Sequence, residues 1–447
     1  DSDLAFEIRK RGYKVVYQPK SVVVHFEGIS HGTDTSSGLK SYQIRNQQLF
    51  IEKWKGILDK EHFANAEHVL WARDRSQNKK TILVIDHYVP HYDKDAGSRT
   101  TFQYLKLFVD MGFNVKFLGD NFYQHEPYTS ELQQMGVEVF YGVWYRDNYE
   151  KWIKEHGQKI DYAYLNRPHI SIKYIDLIRK YTNAKIIYYG HDLHYVRELK
   201  RYEIEKNEEL IKSSEKWKEL EFELFAKSDV IVTGSQDEHE LIKNAFPNKR
   251  VCTIPAFIYD SPSLSRSEQT EGLLFVGGFS HTPNIDAVKW FNSEVFPLVK
   301  EKIPGIKCYI VGSNVPYEIN ELNSDQFIIK GFVSDEELVK LYEKTRLVIV
   351  PLRYGAGIKE KTIEAMYHGV PIVSTSYGIE GLKDIFSLVK PCDTAEDFAE
   401  EVISLYNDSA RMKIMEQCFV DYINKHFSKR ASLEAMKEVF EENYVYS

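Results

Sequence analysis

The chain has 447 residues, 43% of them hydrophobic and 28% charged, with a formal net charge of −8. That length exceeds what one compact core accommodates, so two or three domains are expected. The acidic balance argues against a general nucleic-acid binder. Four cysteines, none in a C-x-x-C pair, indicate neither a zinc site nor a disulfide framework. No apolar run is long enough to span a membrane, and no signal peptide is evident. Together with the cysteines this fits a reducing cytoplasm. The 30 tyrosines suit surfaces that stack on sugars or bases, and equally suit simple compositional drift. The chain opens on Asp1, inside a helical pattern, which we read as a fragment of a longer protein.

Taken in chain order, residues 1–76 predict a short helix stopped at Gly12, two β-rich runs (Tyr13–Tyr17 and Ser21–Phe26) split by Pro19, and a further helix. This stretch is too small to hold a core alone. From Lys80 a β-loop-α-β series begins. Thr81–Asp86 is a buried strand, Thr101–Asp110 a helix and Asn114–Leu118 a strand. Further strands are expected at Val137–Tyr141, Tyr162–Asn166, Ile186–Tyr189 and Val230–Thr233, with one long charged helix over Glu198–Lys227 whose charges read as a solvated face. A Ser/Pro-rich stretch, Asp260–Thr270, predicts a linker. A second series follows. Its strands are expected at Gly272–Val276, Lys307–Val311, Phe327–Ile329, Leu347–Pro351 and Val370–Thr375, and its helices at Asp286–Val299, Asp335–Lys344 and Lys361–Tyr367. The expected fold class is therefore α/β, with two doubly wound Rossmann-like domains (80–262 and 270–415) facing a cleft and a small α+β segment in front. The final helices, 416–447, can belong to either domain and are read as crossing back to the first.

The most informative stretch is Pro351–Leu382. A buried strand delivers Arg353 at its C-terminal end. Gly355 and Gly357 let backbone approach a ligand closely. A helix then starts near Lys361 and carries Glu364 in its first turn. A helix N-terminus flanked by Arg353 and Lys361 suits a diphosphate, and would stabilise the charge that builds on a nucleoside diphosphate leaving a sugar. Glu364 can accept two hydroxyl hydrogen bonds, as a ribose diol offers. The bland alternative is a strand–loop–helix with an ordinary exposed Arg and Lys.

This stretch resembles the donor-site signature of the retaining, GT-B-fold glycosyltransferases of family 4. So do Phe275-Val276-Gly277-Gly278 followed by His281-Thr282-Pro283-Asn284, and Gly331-Phe332-Val333-Ser334 before an acidic helix. The resemblance runs from about Lys80 to the C-terminus. It implies that Arg353 and Lys361 grip the diphosphate and Glu364 binds the ribose. Backbone near Val333 would meet the base, Gly278 would belong to the donor loop, and Gly357 and Ile358 would lie over the sugar. The donor substrate would be a nucleoside-diphosphate sugar, with no other cofactor and no metal. The family often shows two glutamates with seven residues between them. Glu364 matches the second, but Ala356 stands where the first would be, which leaves donor identity open.

Two further candidates lie in the first series. Asp95-Ala96-Gly97-Ser98-Arg99 follows the first strand, where Gly97 would face the donor phosphates; an ordinary βα turn is the alternative. His191 and Asp192, at a strand end, fall where ligands bind in such sheets. The resemblance suggests that they contact the sugar or the acceptor. It also implies a retaining transfer on one face of the sugar, and no carboxylate stands out as a nucleophile.

Asp1-Ser2-Asp3 and Asp93-Lys94-Asp95 both spell D-x-D, but neither follows a nucleotide-binding strand, so neither is assigned to metal. Residues 1–76 nevertheless resemble the C-terminal end of a family 2, GT-A-fold glycosyltransferase. That likeness rests on Asp1-Ser2-Asp3-Leu4, Arg11-Gly12-Tyr13, Tyr17-Gln18-Pro19, Val24-His25-Phe26-Glu27-Gly28 and the run Asn46–Trp54. It implies that Asp1 matches a catalytic base and His25 a vestigial metal ligand, in an inactive remnant of an upstream transferase domain. The expected function is extension of a bacterial surface glycan on a lipid-linked acceptor, with transient association at the inner face of the membrane. Another enzyme of this fold, an epimerase or phosphorylase, and a non-catalytic assembly subunit remain as alternatives.

Overall fold

A computed structural model describes residues 2–16, 21–24, 41–64, 67–72, 75–262, 269–355 and 357–440. Asp1, Tyr17–Pro19, His25 and Ala356 lie outside the described residues. The chain divides into two compact units, 1–79 and 80–447.

The first unit is helical where it is described. Ser2–Lys10 ends at Gly12, whose positive φ of 82° stops the helix. It packs on Ser41–Glu61 through Phe6, Phe50 and Trp54. The expected strands are absent from the described parts of both runs. Residues 13–16 and 21–24 have no regular secondary structure, and Val22, Val23 and Val24 are exposed. β-branched residues favour a strand only when a neighbouring strand completes the ladder.

The second unit holds two all-parallel sheets. The first lobe contains β1 (Thr81–Asp86), β2 (Asn114–Gly119), β3 (Glu138–Phe140), β4 (Tyr162–Asn166), β5 (Lys185–Tyr189), β6 (Val230–Thr233) and β7 (Arg250–Thr253), in the order β3-β2-β1-β4-β5-β6-β7. The second contains β8 (Glu271–Val276), β9 (Cys308–Val311), β10 (Phe327–Gly331), β11 (Thr345–Val350) and β12 (Ile372–Ser374), in the order β10-β9-β8-β11-β12. Helices cover both faces, so the central strands read as continuous apolar runs; all six residues of β1 are buried. In each sheet the strand order reverses beside the first strand, between β1 and β4 and between β8 and β11. Loops diverge there and open a crevice.

Several elements differ from expectation. The long charged helix is two helices, His194–Glu205 and Glu208–Lys227, separated by Lys206 in the left-handed region and restarted by an Asn207 cap. Its charges are not all solvated. Glu221 is fully buried, and its carboxylate accepts the His194 N–H at 2.8 Å and the Tyr195 N–H at 3.3 Å, capping the preceding helix from its neighbour. The helix expected from Asp286 starts earlier, at Thr282, and passes through a π-turn at Phe291–Val295 before Phe296–Lys302. β7 was not anticipated; its four residues carry too short an apolar signal.

At the C-terminus, Ser409–His426 packs in the core of the second lobe through Phe419 and Ile423. The chain then crosses over. Tyr259 donates its N–H to the Phe427 carbonyl at 2.8 Å and bridges Ser428. Lys429–Phe440 inserts Met436, Val439 and Phe440 into the core of the first lobe.

Candidate functional site

The candidate site is built from loops at the two points of strand reversal. In the first lobe, β1 ends in Asp86, which is buried. Its carboxylate accepts hydrogen bonds from Thr101 Oγ1 at 2.8 Å, the His87 N–H at 2.7 Å and Arg167 Nε at 2.8 Å. Burial opposes ionisation, but the Arg167 guanidinium and His87 hold the carboxyl well below the usual range. Arg167 follows β4 directly and has a positive φ of 62°. Its Nη2 is buried without a hydrogen-bond partner among the described residues. A β-carbon on Gly97 would fall 2.8 Å from that Nη2, so a larger residue at the start of the helix Ala96–Asp110 would displace the guanidinium.

His191 follows β5, also with a positive φ of 71°. Its Nε2 is buried and unpartnered among the described residues, and burial beside Arg167 pushes its pKa down to about 3, so the ring is neutral. Asp192 accepts from Arg197 Nη1 at 2.7 Å and lies 3.2 Å from His194 Nδ1. Burial raises its pKa and these two neighbours lower it; the net direction is down. Glu238 accepts the Leu193 N–H at 3.0 Å, and burial next to Asp192 pushes its pKa up to about 8.

In the second lobe, the loop after β8 carries Gly277 and Gly278, and the loop after β11 carries Arg353, Gly355 and Gly357. The following helix starts at Glu360, one residue before the expected start, so Glu364 lies past its first turn. Lys361 hydrogen-bonds Asn284 and stands 4.9 Å from the centre of the Phe275 ring. Asn284 in turn donates to the Gly278 carbonyl at 2.7 Å. A β-carbon on Gly277 would fall 3.0 Å from Lys361 Nζ, so this glycine makes room for the ammonium. Burial, with Lys359 nearby, pushes the Lys361 pKa down to about 7. Arg353 is clamped by both carboxylate oxygens of Asp286, with Nε–Oδ2 at 2.9 Å. Glu364 accepts from the Tyr342 hydroxyl at 3.2 Å, and burial beside Glu360 pushes its pKa up to about 7. Val333 is partly buried against the core of its lobe, just after Gly331, while neighbouring Phe332 is exposed.

The lobes meet across this crevice. Arg99 reaches Glu360 at 2.9 Å and Glu364 at 3.8 Å. Lys200 pairs with Glu380. Lys94 lies 5.8 Å from the centre of the Phe332 ring. A β-carbon on Gly357 would be 3.5 Å from Asp192 Cβ, which brings the glycine loop of one lobe onto the His191–Asp192 corner of the other. Gly97, His191, Asp192, Gly278, Gly357, Lys361 and Glu364 thus converge on one crevice. Ile358 adjoins it, lining a cavity at the end where the chain crosses between the lobes, called the hinge below. Arg353 borders the crevice but is engaged by Asp286.

Sequence reasoning missed Arg167, Glu238 and Asp286, and placed Asn284 in a motif without giving it a role. Arg167 was findable: it directly follows a strand end, by the logic that picked His191. The others act through contacts distant in sequence. The described aspartates of the two D-x-D stretches are engaged. Asp3 accepts from Trp54 Nε1 at 2.7 Å and from Lys53. Asp95 caps the Ser98 N–H at 2.8 Å, and Asp93 accepts from Tyr128 at 2.6 Å. No cluster of three His, Cys, Asp or Glu able to hold a metal occurs among the described residues.

Two parallel sheets facing a crevice through glycine loops are the architecture of GT-B glycosyltransferases, and the chain has that fold. It superposes on sucrose-phosphate synthase from Thermosynechococcus elongatus with a TM-score of 0.62 at 15% identity, covering 81% of this chain and 98% of that one. Against S. aureus TarM, solved with fondaparinux, α-GlcNAc-glycerol and UDP, the TM-score is 0.60 at 14% identity, covering 81% and 100%. Residues 270–408, in the second lobe, match the family "Glycosyl transferases group 1". The chain is also 29% identical over 180 residues to an uncharacterized 44.6 kDa protein in the cps region of Klebsiella pneumoniae. That match covers 38% of this chain and spans 45% of the relative's length.

Proposed function

We propose that the chain transfers a sugar from a nucleoside-diphosphate sugar to a growing surface glycan, with retention and without metal. The observation that carries this reading is the meeting of Lys361, at the start of its helix, with the His191–Asp192 corner of the opposite lobe through Gly357. A diphosphate at the helix start would take the Lys361 ammonium and the free N–H groups there. Arg353 would join after exchanging Asp286 for phosphate oxygens. Glu364 faces the crevice where a ribose would lie, and the backbone at Val333 would border the base. Gly97, Gly278, Gly357 and Ile358 shape the donor pocket. His191 is neutral and buried, so it serves as a hydrogen-bond partner to the sugar and not as a cation. Asp192 would hold a sugar or acceptor hydroxyl. The leaving diphosphate would help accept the acceptor's proton, its charge stabilised by Lys361.

The match to a protein of a cps region supports a surface polysaccharide as product, on a lipid-linked acceptor that would bring the enzyme to the inner face of the membrane. Which hexose or deoxyhexose is moved would follow from the loop around position 356. Residues 1–76 would be the tail of a family 2 transferase domain. The exposed Val22–Val24 support this, since they are the apolar surface that the rest of such a domain would cover.

Thermal unfolding with UDP, GDP, dTDP and ADP, each in EDTA, tests the reading. One nucleotide at about a hundred times its Kd should add about 2.7 kcal/mol and raise the unfolding temperature by a few degrees. No response to any of the four would remove the donor site.

A further inference from the structure

A cavity of about 580 Å³, large enough for a small organic ligand, opens where the chain crosses between the lobes. One wall is made of first-lobe residues after β6 and at the end of β7, around Gln236 and Ile254. The other comes from Gly381–Lys383 after β12 and the end of the helix Ser409–His426. The crossover, Phe427–Arg430, forms its floor. It touches the crevice at Ile358 and Gly381, but none of Lys361, Arg353, Glu364, His191 or Asp192 lines it.

Its lining is cationic in a chain of net charge −8: Lys383, Lys425 and Arg430 surround it, while burial and the two lysines lower the pKa of His426 and keep that ring neutral. No ion pair or side-chain hydrogen bond engages Lys383, Lys425 or Arg430 among the described residues, whereas nearby Lys429 pairs with Asp110 at 2.8 Å and Lys437 with Glu434 at 2.9 Å. Glu434 is the only acidic residue in the lining. Arg430 also stands in the first turn of its helix, where the backbone dipole disfavours a cation. Like charges gathered around a cavity from separate elements, at a local electrostatic cost, are complementary to an anion.

We propose that this hinge cavity binds a phosphorylated ligand through Lys383, Lys425 and Arg430. Lys383 and Lys425 belong to the second lobe, while Arg430 lies on the helix that completes the first. An anion held by all three therefore ties the lobes together at the hinge. The site stands independently of the transferase reading.

Three probes test it on the full chain by calorimetry and flotation: pyrophosphate, glycerol phosphate, and phosphatidylcholine vesicles carrying phosphatidic acid. The proteins are the unaltered chain, Lys383→Gln/Lys425→Gln/Arg430→Gln, and Lys361→Ala. The triple variant replaces exposed side chains, and its unfolding temperature serves as the folding control. Loss of three charge-assisted contacts should weaken binding of the preferred probe by about tenfold or more. Lys361→Ala, which alters only the crevice, should retain that hinge binding. Cation-dependent binding of a soluble phosphate identifies a free ligand. Cation-dependent binding of vesicles alone identifies a lipid headgroup. If the triple variant binds every probe as the unaltered chain does, the site does not exist.

Discussion

At the scale of single residues, the site depends on ionisable groups moved toward neutrality by burial. Lys361, with its pKa pushed down to about 7, is largely uncharged at pH 8 until an anion arrives. A bound diphosphate would raise that pKa, so binding should take up a proton and weaken as pH rises from 7 to 9. Calorimetry in buffers of different ionisation enthalpy reads the uptake. Lys361→Ala should abolish it and weaken nucleoside diphosphate binding by about 1.5–3 kcal/mol; unchanged affinity would displace the phosphates from this helix start. Glu238 shifts the other way, up to about 8. Between its ordinary value near 4.5 and about 8, the folded chain keeps a proton that the unfolded chain has released. Its contribution to stability is therefore full below pH 4.5 and is lost as pH rises through 8. Glu238→Gln carries no such penalty. Its unfolding temperature relative to the unaltered chain should rise from pH 5 to pH 8.5, and a constant difference would place a charged Glu238 in the folded state.

Among elements, the pair His194–Glu205 and Glu208–Lys227 shows how one buried charge couples two helices. The first helix has Leu193 at its start, which offers no side-chain cap. Glu221, from the second, supplies the missing acceptor and also meets His194 Nδ1 at 3.1 Å. Glu221→Ala would leave two half-buried N–H donors without this acceptor and should destabilise the chain by about 1–3 kcal/mol, measured by urea unfolding. Because the first helix begins beside Asp192, the same substitution should also reduce ligand binding. Full stability in the variant would show that water replaces the carboxylate.

For the whole molecule, the question is what holds the lobes against each other. Arg99 is the clearest link, because it neutralises Glu360 and Glu364 together across the crevice. Burial lowers its pKa, but these two carboxylates win and raise it. Arg99→Ala would leave them facing each other uncompensated. The radius of gyration without ligand should then increase in small-angle scattering. An unchanged radius would mean that the Lys200–Glu380 pair and the Gly357–Asp192 contact hold the lobes without it.

What the sequence determined by itself was the alternation of buried strands and helices and the glycine-rich strand ends. Both are local: a strand buried on two faces is apolar in its middle, as in Thr81–Asp86, and a strand-end loop uses glycine where a side chain crowds it, as Lys361 crowds Gly277, or where φ is positive, as at Gly357. Arg353, Lys361, His191 and Asp192 could be singled out because strand ends are where such sheets bind ligands. Only the tertiary structure decided which partners those residues meet. Asp286 on Arg353, Asn284 on Lys361 and Arg99 on Glu360 are contacts between residues 67, 77 and 261 positions apart. It also decided that Glu221 is a buried cap and not a solvated charge, and that Val22–Val24 pair with no strand among the described residues. Charge and β-branching state what a residue can do, whereas burial and a partner, set by the packing of distant elements, fix what it does.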